Sequence, residues 1–211
     1  MSKRMNRKDI LYMTQMALLS ALVVVLQLVG TFIKIGPLPM SLVLVPIVMG
    51  ACLLGVRAGG VLGFLFGIVT AVMGIVGADG FSAILFQARP FWFVVLCLAK
   101  ATAAGLGAGL IYQFLEKPLG AKSKTAQTVI ASVAAPILNT GVFVLGMLVF
   151  YFNVLTDLPS IFPKAFSQFG GEMEVLFLGL AGVNFIGEFV VSLVLAPAIV
   201  RVVDIVKNKL K

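Results

Sequence analysis

The chain has 211 residues, of which 61% are hydrophobic and only 11% charged, with 16 Lys and Arg against 8 Asp and Glu. A soluble domain carries roughly a quarter of charged residues to cover its surface, so this composition excludes an ordinary water-soluble enzyme or binding module. The chain has no His, and its two cysteines, Cys52 and Cys97, stand alone inside apolar runs; a structural zinc site and His-dependent catalysis are excluded as well.

The first segment, MSKRMNRKDI, is a basic head, and the run from Ile10 to Phe32 that follows lacks a small-residue cleavage pattern. A retained first span over about 10–33 is expected, not a removed signal peptide. Five further apolar segments follow at about 40–54, 58–76, 91–114, 125–152 and 175–203. They predict an all-α integral membrane protein of six transmembrane helices, with one membrane domain over 1–211. An apolar layer near 30 Å thick needs about 20 helical residues. The second segment is short for that, so it is expected to be re-entrant or buried among its neighbours. The runs are uniformly apolar, without the alternation of a membrane β-strand.

Charge sets the orientation. Lys3, Arg4, Arg7, Lys8, Arg57, Lys117, Lys122, Lys124, Arg201, Lys207, Lys209 and Lys211 all fall in the termini and in alternate connections. The remaining connections hold only Lys34, Arg89 and Lys164, against Asp79, Asp157, Glu172 and Glu174. By the positive-inside rule both termini are expected in the cytoplasm. The net charge of +8 then suits an anionic inner leaflet, and nucleic acid is not an expected partner. Segments 33–39, 77–90 and 153–174 face outward on this reading. Two of them are long and contain Pro and aromatic residues, which suggests a lid over an outward-facing cavity.

Small residues recur at helical spacing. Gly59, Gly63 and Gly67 are four apart, as are Ala101, Gly105 and Gly109; such stripes let helix backbones approach closely. Ala17 and Ala21 form a shorter stripe, interrupted at Met13, that either packs internally or meets another protein.

The residues that hydrocarbon should exclude are the candidate site. Lys100 lies about nine residues into the fourth span, roughly 14 Å from its outer end. It needs a counter-charge, carbonyls, water or a ligand. Two readings stand: a salt bridge to Glu188, or a cavity cation facing an anionic or carbonyl group of a substrate. Asn184 and Glu188 are one turn apart and share a face of the last span, as a polar seam or a structural contact. A proton relay through Glu188 lacks a second intramembrane carboxylate. Pro136 removes a backbone donor in the fifth span. Asn139 and Thr140 follow it, suited to a pocket or to an interhelical bond, and Gly141 allows close approach of a neighbour or ligand. Arg89 and Trp92 stand at the outer mouth of the fourth span, Trp92 as an interface anchor and Arg89 as an anchor or as an attractor of anions.

Six segments in this length, APILNTGVFVLG in the fifth, LAKATAAGLGAGL in the fourth and LVLVPIVMGACLLGVRAGGVLGFLFG across the second and third resemble the substrate-binding S components of energy-coupling factor (ECF) vitamin transporters. PILNTG is the most specific fragment, and the riboflavin/pantothenate-like group is the one it resembles. The resemblance implies a compact S-component bundle in a bacterial cell membrane that captures an extracellular water-soluble vitamin. It implies a transmembrane coupling subunit and two cytoplasmic ATPases as partners, with ATP and magnesium bound there and no cofactor on this chain. It also implies that Ala17 and Ala21 contact the coupling subunit, with Met13 departing from the fuller motif. The expected substrate-binding residues are Lys100, Asn139, Thr140, Asn184, Glu188 and Arg89, with no catalytic or metal-ligating residues. A carboxylate, amide and hydroxyls make pantothenate the preferred vitamin, ahead of riboflavin. No GxxxxGK[ST] run occurs, so P-loop ATP chemistry must lie elsewhere. The competing classes are an autonomous secondary transporter, without detectable inverted repeats, and a membrane-embedded enzyme, without an acid–base pair beside Glu188.

Overall fold

The computed structural model describes residues 6–32, 34–35, 38–39, 42–119, 124–161, 163–166 and 169–209. The long apolar runs form helices because hydrocarbon offers no partner for a backbone N–H or C=O, and only a helix satisfies both within one segment. Helix α1 (Arg7–Phe32) is followed by a short antiparallel strand pair, β1 (Lys34–Ile35) and β2 (Leu38–Pro39), with Lys34 opposite Pro39. Then come α2 (Leu44–Leu54), α3 (Val56–Ile75), α4 (Gly80–Ala88), α5 (Pro90–Leu119) and α6 (Lys124–Phe150). Helices α7 (Phe152–Ile161), α8 (Pro163–Phe166) and α9 (Glu172–Glu174) lead into a π-helical stretch, Val175–Gly182, and α10 (Val183–Lys209) closes the order.

Among the described residues five helical segments are long and apolar enough to cross a membrane: Arg7–Phe32, Val56–Ile75, Pro90–Glu116, Lys124–Phe150 and Glu172–Ile205. The chain is therefore an all-α, multi-spanning membrane bundle. The second expected span is shorter than its predicted 40–54: α2 has 11 residues, about 16 Å at 1.5 Å per residue. Its Leu44, Ile47, Val48 and Ala51 are buried, so neighbouring helices cover it. Two connections expected as loops are partly helical. Segment 77–90 contains α4, and segment 153–174 contains α7, α8 and α9.

The glycine stripe explains the tightest packing. A Cβ at Gly59 would lie 2.5 Å from the Gly105 carbonyl oxygen, and one at Gly67 would lie 2.8 Å from that of Cys97; at Gly63 it would run into the carbonyl of Ala101. Three successive turns of α3 thus ride directly on the α5 backbone. Gly109 continues the contact, since a Cβ there would meet Val56 Cα at 2.8 Å. Gly141 differs from expectation. Nothing lies within 4 Å of its Cβ position, because it faces out of α6.

At the far end of α5, Tyr12, Leu54, Arg57, Tyr112 and Glu116 border one open cleft. That cleft gathers the start of α1, the α2–α3 corner and the end of α5. The opposite end is aromatic: Trp92 of α5 stacks on Phe150 of α6 at 3.8 Å between ring centroids. Next to it, Tyr151 Oη donates to the Arg89 carbonyl at 2.9 Å. The buried cluster there joins α4, α5, α6, α7 and the π-helical stretch through Phe81, Phe93, Met147, Leu155, Phe166 and Leu176.

Candidate functional site: a polar chamber under α4

The chamber lies toward this aromatic end. It is walled by Gln27 of α1, Phe66 and Thr70 of α3, Phe93, Leu96, Cys97 and Lys100 of α5, Asn139 and Phe143 of α6, and Asn184 of α10. Asp79 and the α4 residues Phe81, Ser82 and Leu85 complete it. The free space inside it is about 50 Å³, small beside the about 300–1,000 Å³ of small-molecule sites.

Lys100 reaches the chamber from α5, and its Nζ stands 5.3 Å from the centroid of the Phe143 ring, inside the range of a cation–π contact. The ammonium thus rests on an aromatic face.

Glu188 is 1% exposed. Asn139 Nδ2 donates to its Oε1 at 3.1 Å and to Oε2 at 3.0 Å, and Asn184 Nδ2 donates to Oε1 at 3.0 Å. Carboxylate oxygens accept, so both amides turn their NH2 groups toward Glu188. The Asn139 carbonyl oxygen is consequently directed elsewhere, and it is buried without a hydrogen-bond partner among the described residues. Glu188 is thus a support for two chamber-lining amides and does not line the chamber itself.

Six residues were expected at the site. Lys100, Asn139 and Asn184 all line the chamber. Glu188 stands behind them. Thr140 is buried, with Oγ1 lacking a partner among the described residues, but it is not among the lining residues. Arg89 is exposed at the corner between α4 and α5 and is not among the chamber-lining residues; its backbone carbonyl accepts from Tyr151 Oη. Ala17 and Ala21 are exposed on α1, away from the internal packing that was their alternative.

Four polar chamber residues were not read as site residues from the sequence: Gln27, Thr70, Asp79 and Ser82. Gln27 could have been found by the criterion that picked Asn139, because it is the one amide between Val25 and Gly30 in an apolar run. Asp79 is the N-cap of α4, accepting from the Ser82 backbone N–H at 3.1 Å and also from the Ser82 hydroxyl. In the sequence it looked like an ordinary outer-loop charge.

A π-helical stretch lies immediately before Asn184. A Cβ at Gly179 within it would touch the Phe166 ring at 2.8 Å, so glycine lets α8 close against the start of the last span. Such widened turns recur at functional sites in helices.

The fold is a multi-spanning helical membrane bundle with an internal chamber bordered by the short helix α4. The chain belongs to the family described as "ECF transporter, substrate-specific component", which matches residues 11–200. No curated protein matches it. Family members are substrate-binding subunits and not enzymes, and membership implies coupling and ATPase subunits that drive transport.

Proposed function

We propose that this chain is the vitamin-capturing subunit of an ECF transporter, that its substrate is pantothenate, and that Lys100, Asn139 and Asn184 bind it from outside the cell. The observation that carries this reading is the convergence of Lys100, Asn139 and Asn184 on one chamber in a chain of this family. Pantothenate brings a carboxylate for the Lys100 ammonium, and an amide and hydroxyls for the two asparagines.

In this reading the whole chain is one membrane unit of a bacterial cell membrane, with both termini in the cytoplasm. The chamber end, which holds few basic residues, faces outward, and α4 covers it. A transmembrane coupling subunit and two cytoplasmic ATPases supply the energy, with ATP and magnesium bound there. The alternatives are a riboflavin or other vitamin subunit, or an autonomous carrier. Mass spectrometry of small molecules retained through purification, followed by calorimetry with pantothenate and riboflavin, tests the substrate. Liposomes containing this chain alone test autonomy: concentrative uptake there would refute the subunit reading.

A further inference from the structure

Asp79 is a buried acid with an oxygen to spare. It is 3% exposed. Its Oδ2 accepts from both the backbone N–H and the hydroxyl of Ser82, and Oδ1 is buried without a hydrogen-bond partner among the described residues. A cap needs one acceptor, and Ser or Asn would provide it as well. Asp adds a second oxygen and a charge at a place where burial penalises both. The same chamber holds another acceptor in this condition, Asn139 Oδ1. Buried polar atoms nearly always find partners, so two orphan acceptors facing one chamber call for donors from what fills it.

We propose that Asp79 is a ligand contact, and that the substrate is a small molecule with a hydroxyl or N–H donor for Asp79 and an anionic or carbonyl group for Lys100. This rests on the function proposed above and narrows its substrate class: a molecule with acceptors alone leaves Asp79 and Asn139 unsatisfied. It also ties capture to the roof of the chamber. One carboxylate oxygen holds the first turn of α4 while the other holds the ligand, so filling the chamber fixes the start of α4.

The test is a ligand-and-residue cycle on the full chain in detergent, read by calorimetry. The probes are pantothenate and an analogue with its hydroxyls replaced by hydrogen; riboflavin and a flavin without the ribityl chain form the parallel pair. Asp79→Ser keeps an acceptor for the Ser82 N–H, and Asp79→Asn keeps the shape of the side chain while losing the charge. Both variants are expected to bind the hydroxylated probe about tenfold or more weakly, the range for a hydrogen bond to a charged group. The dehydroxy probe is expected to bind wild type and variants alike. Hydrogen exchange is expected to show ligand protection of Gly80–Ala88 in wild type and its loss in Asp79→Ser. Unchanged affinity in both variants overturns the Asp79 assignment alone. An equal loss for both probes also overturns it, because the effect would then come from the roof and not from a contact. Failure of wild type to bind either vitamin overturns the proposed function and this assignment together.

Discussion

Asn139 Nδ2 bridges both carboxylate oxygens of Glu188, at 3.1 and 3.0 Å, across the interface between α6 and α10. Asn184 adds a third bond from within α10. The seam therefore joins the two helices and presents two amides to the chamber at once. Glu188→Ala is expected to leave two buried amides without this acceptor, costing about 1–3 kcal/mol of stability. Asn139→Ala should cost a similar amount. Because they share one network, the double variant should lose less than the sum of the singles. Unfolding in detergent measures all three, and strict additivity would show that the seam is not a unit.

Lys100→Met removes the ammonium and keeps much of the apolar stem that packs beside Phe143. Pantothenate affinity should fall by at least tenfold, since an unpaired buried carboxylate costs about 2–5 kcal/mol. The yield of folded protein should be largely intact, because the contact the protein itself gives the ammonium is the Phe143 ring. Calorimetry decides it, and unchanged binding would remove Lys100 as the carboxylate partner.

Arg89 has the opposite expectation. It is exposed and is not among the chamber-lining residues, so Arg89→Ala should alter pantothenate affinity by no more than about twofold, as a surface charge screened by salt would. Tyr151→Phe removes the hydroxyl that holds the Arg89 carbonyl. That should cost about 1 kcal/mol and raise hydrogen exchange at the start of α5.

The membrane class and the stripe Gly59, Gly63, Gly67 were legible in the sequence because both follow from one-dimensional spacing. Hydrocarbon thickness sets run length, and 3.6 residues per turn sets the stripe. Lys100, Asn139 and Asn184 were legible because a polar group in an apolar run has few reasons to be there. The roof was not. Segment 77–90 looks like a polar connection, and only the packing of Phe81 and Leu85 against α5 and α6 turns it into a helix over the chamber. The π-helical stretch was equally hidden, since VLFLGLAG reads as ordinary helix.

The α3–α5 contact gives a prediction with an internal control. Gly63→Ala would press a methyl group into the Ala101 carbonyl, and backbone cannot move aside as a flexible side chain does. Overpacking of this kind costs about 1–3 kcal/mol. Gly141→Ala places the same methyl where nothing lies within 4 Å. It should be neutral or stabilising by up to about 1 kcal/mol, the helix-propensity gain. Melting temperatures of the two variants in one detergent should move in opposite directions or differ clearly.

Ala17 and Ala21 are exposed on α1, and Leu18 beside them is 69% exposed. Lipid alone tolerates any apolar side chain on such a face, so it does not require small residues there. A partner helix approaching closely does. If this face meets the coupling subunit, replacing both alanines by leucine should leave pantothenate binding to the isolated chain unchanged. The same double variant should lose co-purification with the coupling subunit and, with it, ATP-driven uptake in reconstituted vesicles. Retained co-purification would assign the two alanines to the lipid-facing surface and move the docking face elsewhere on the bundle.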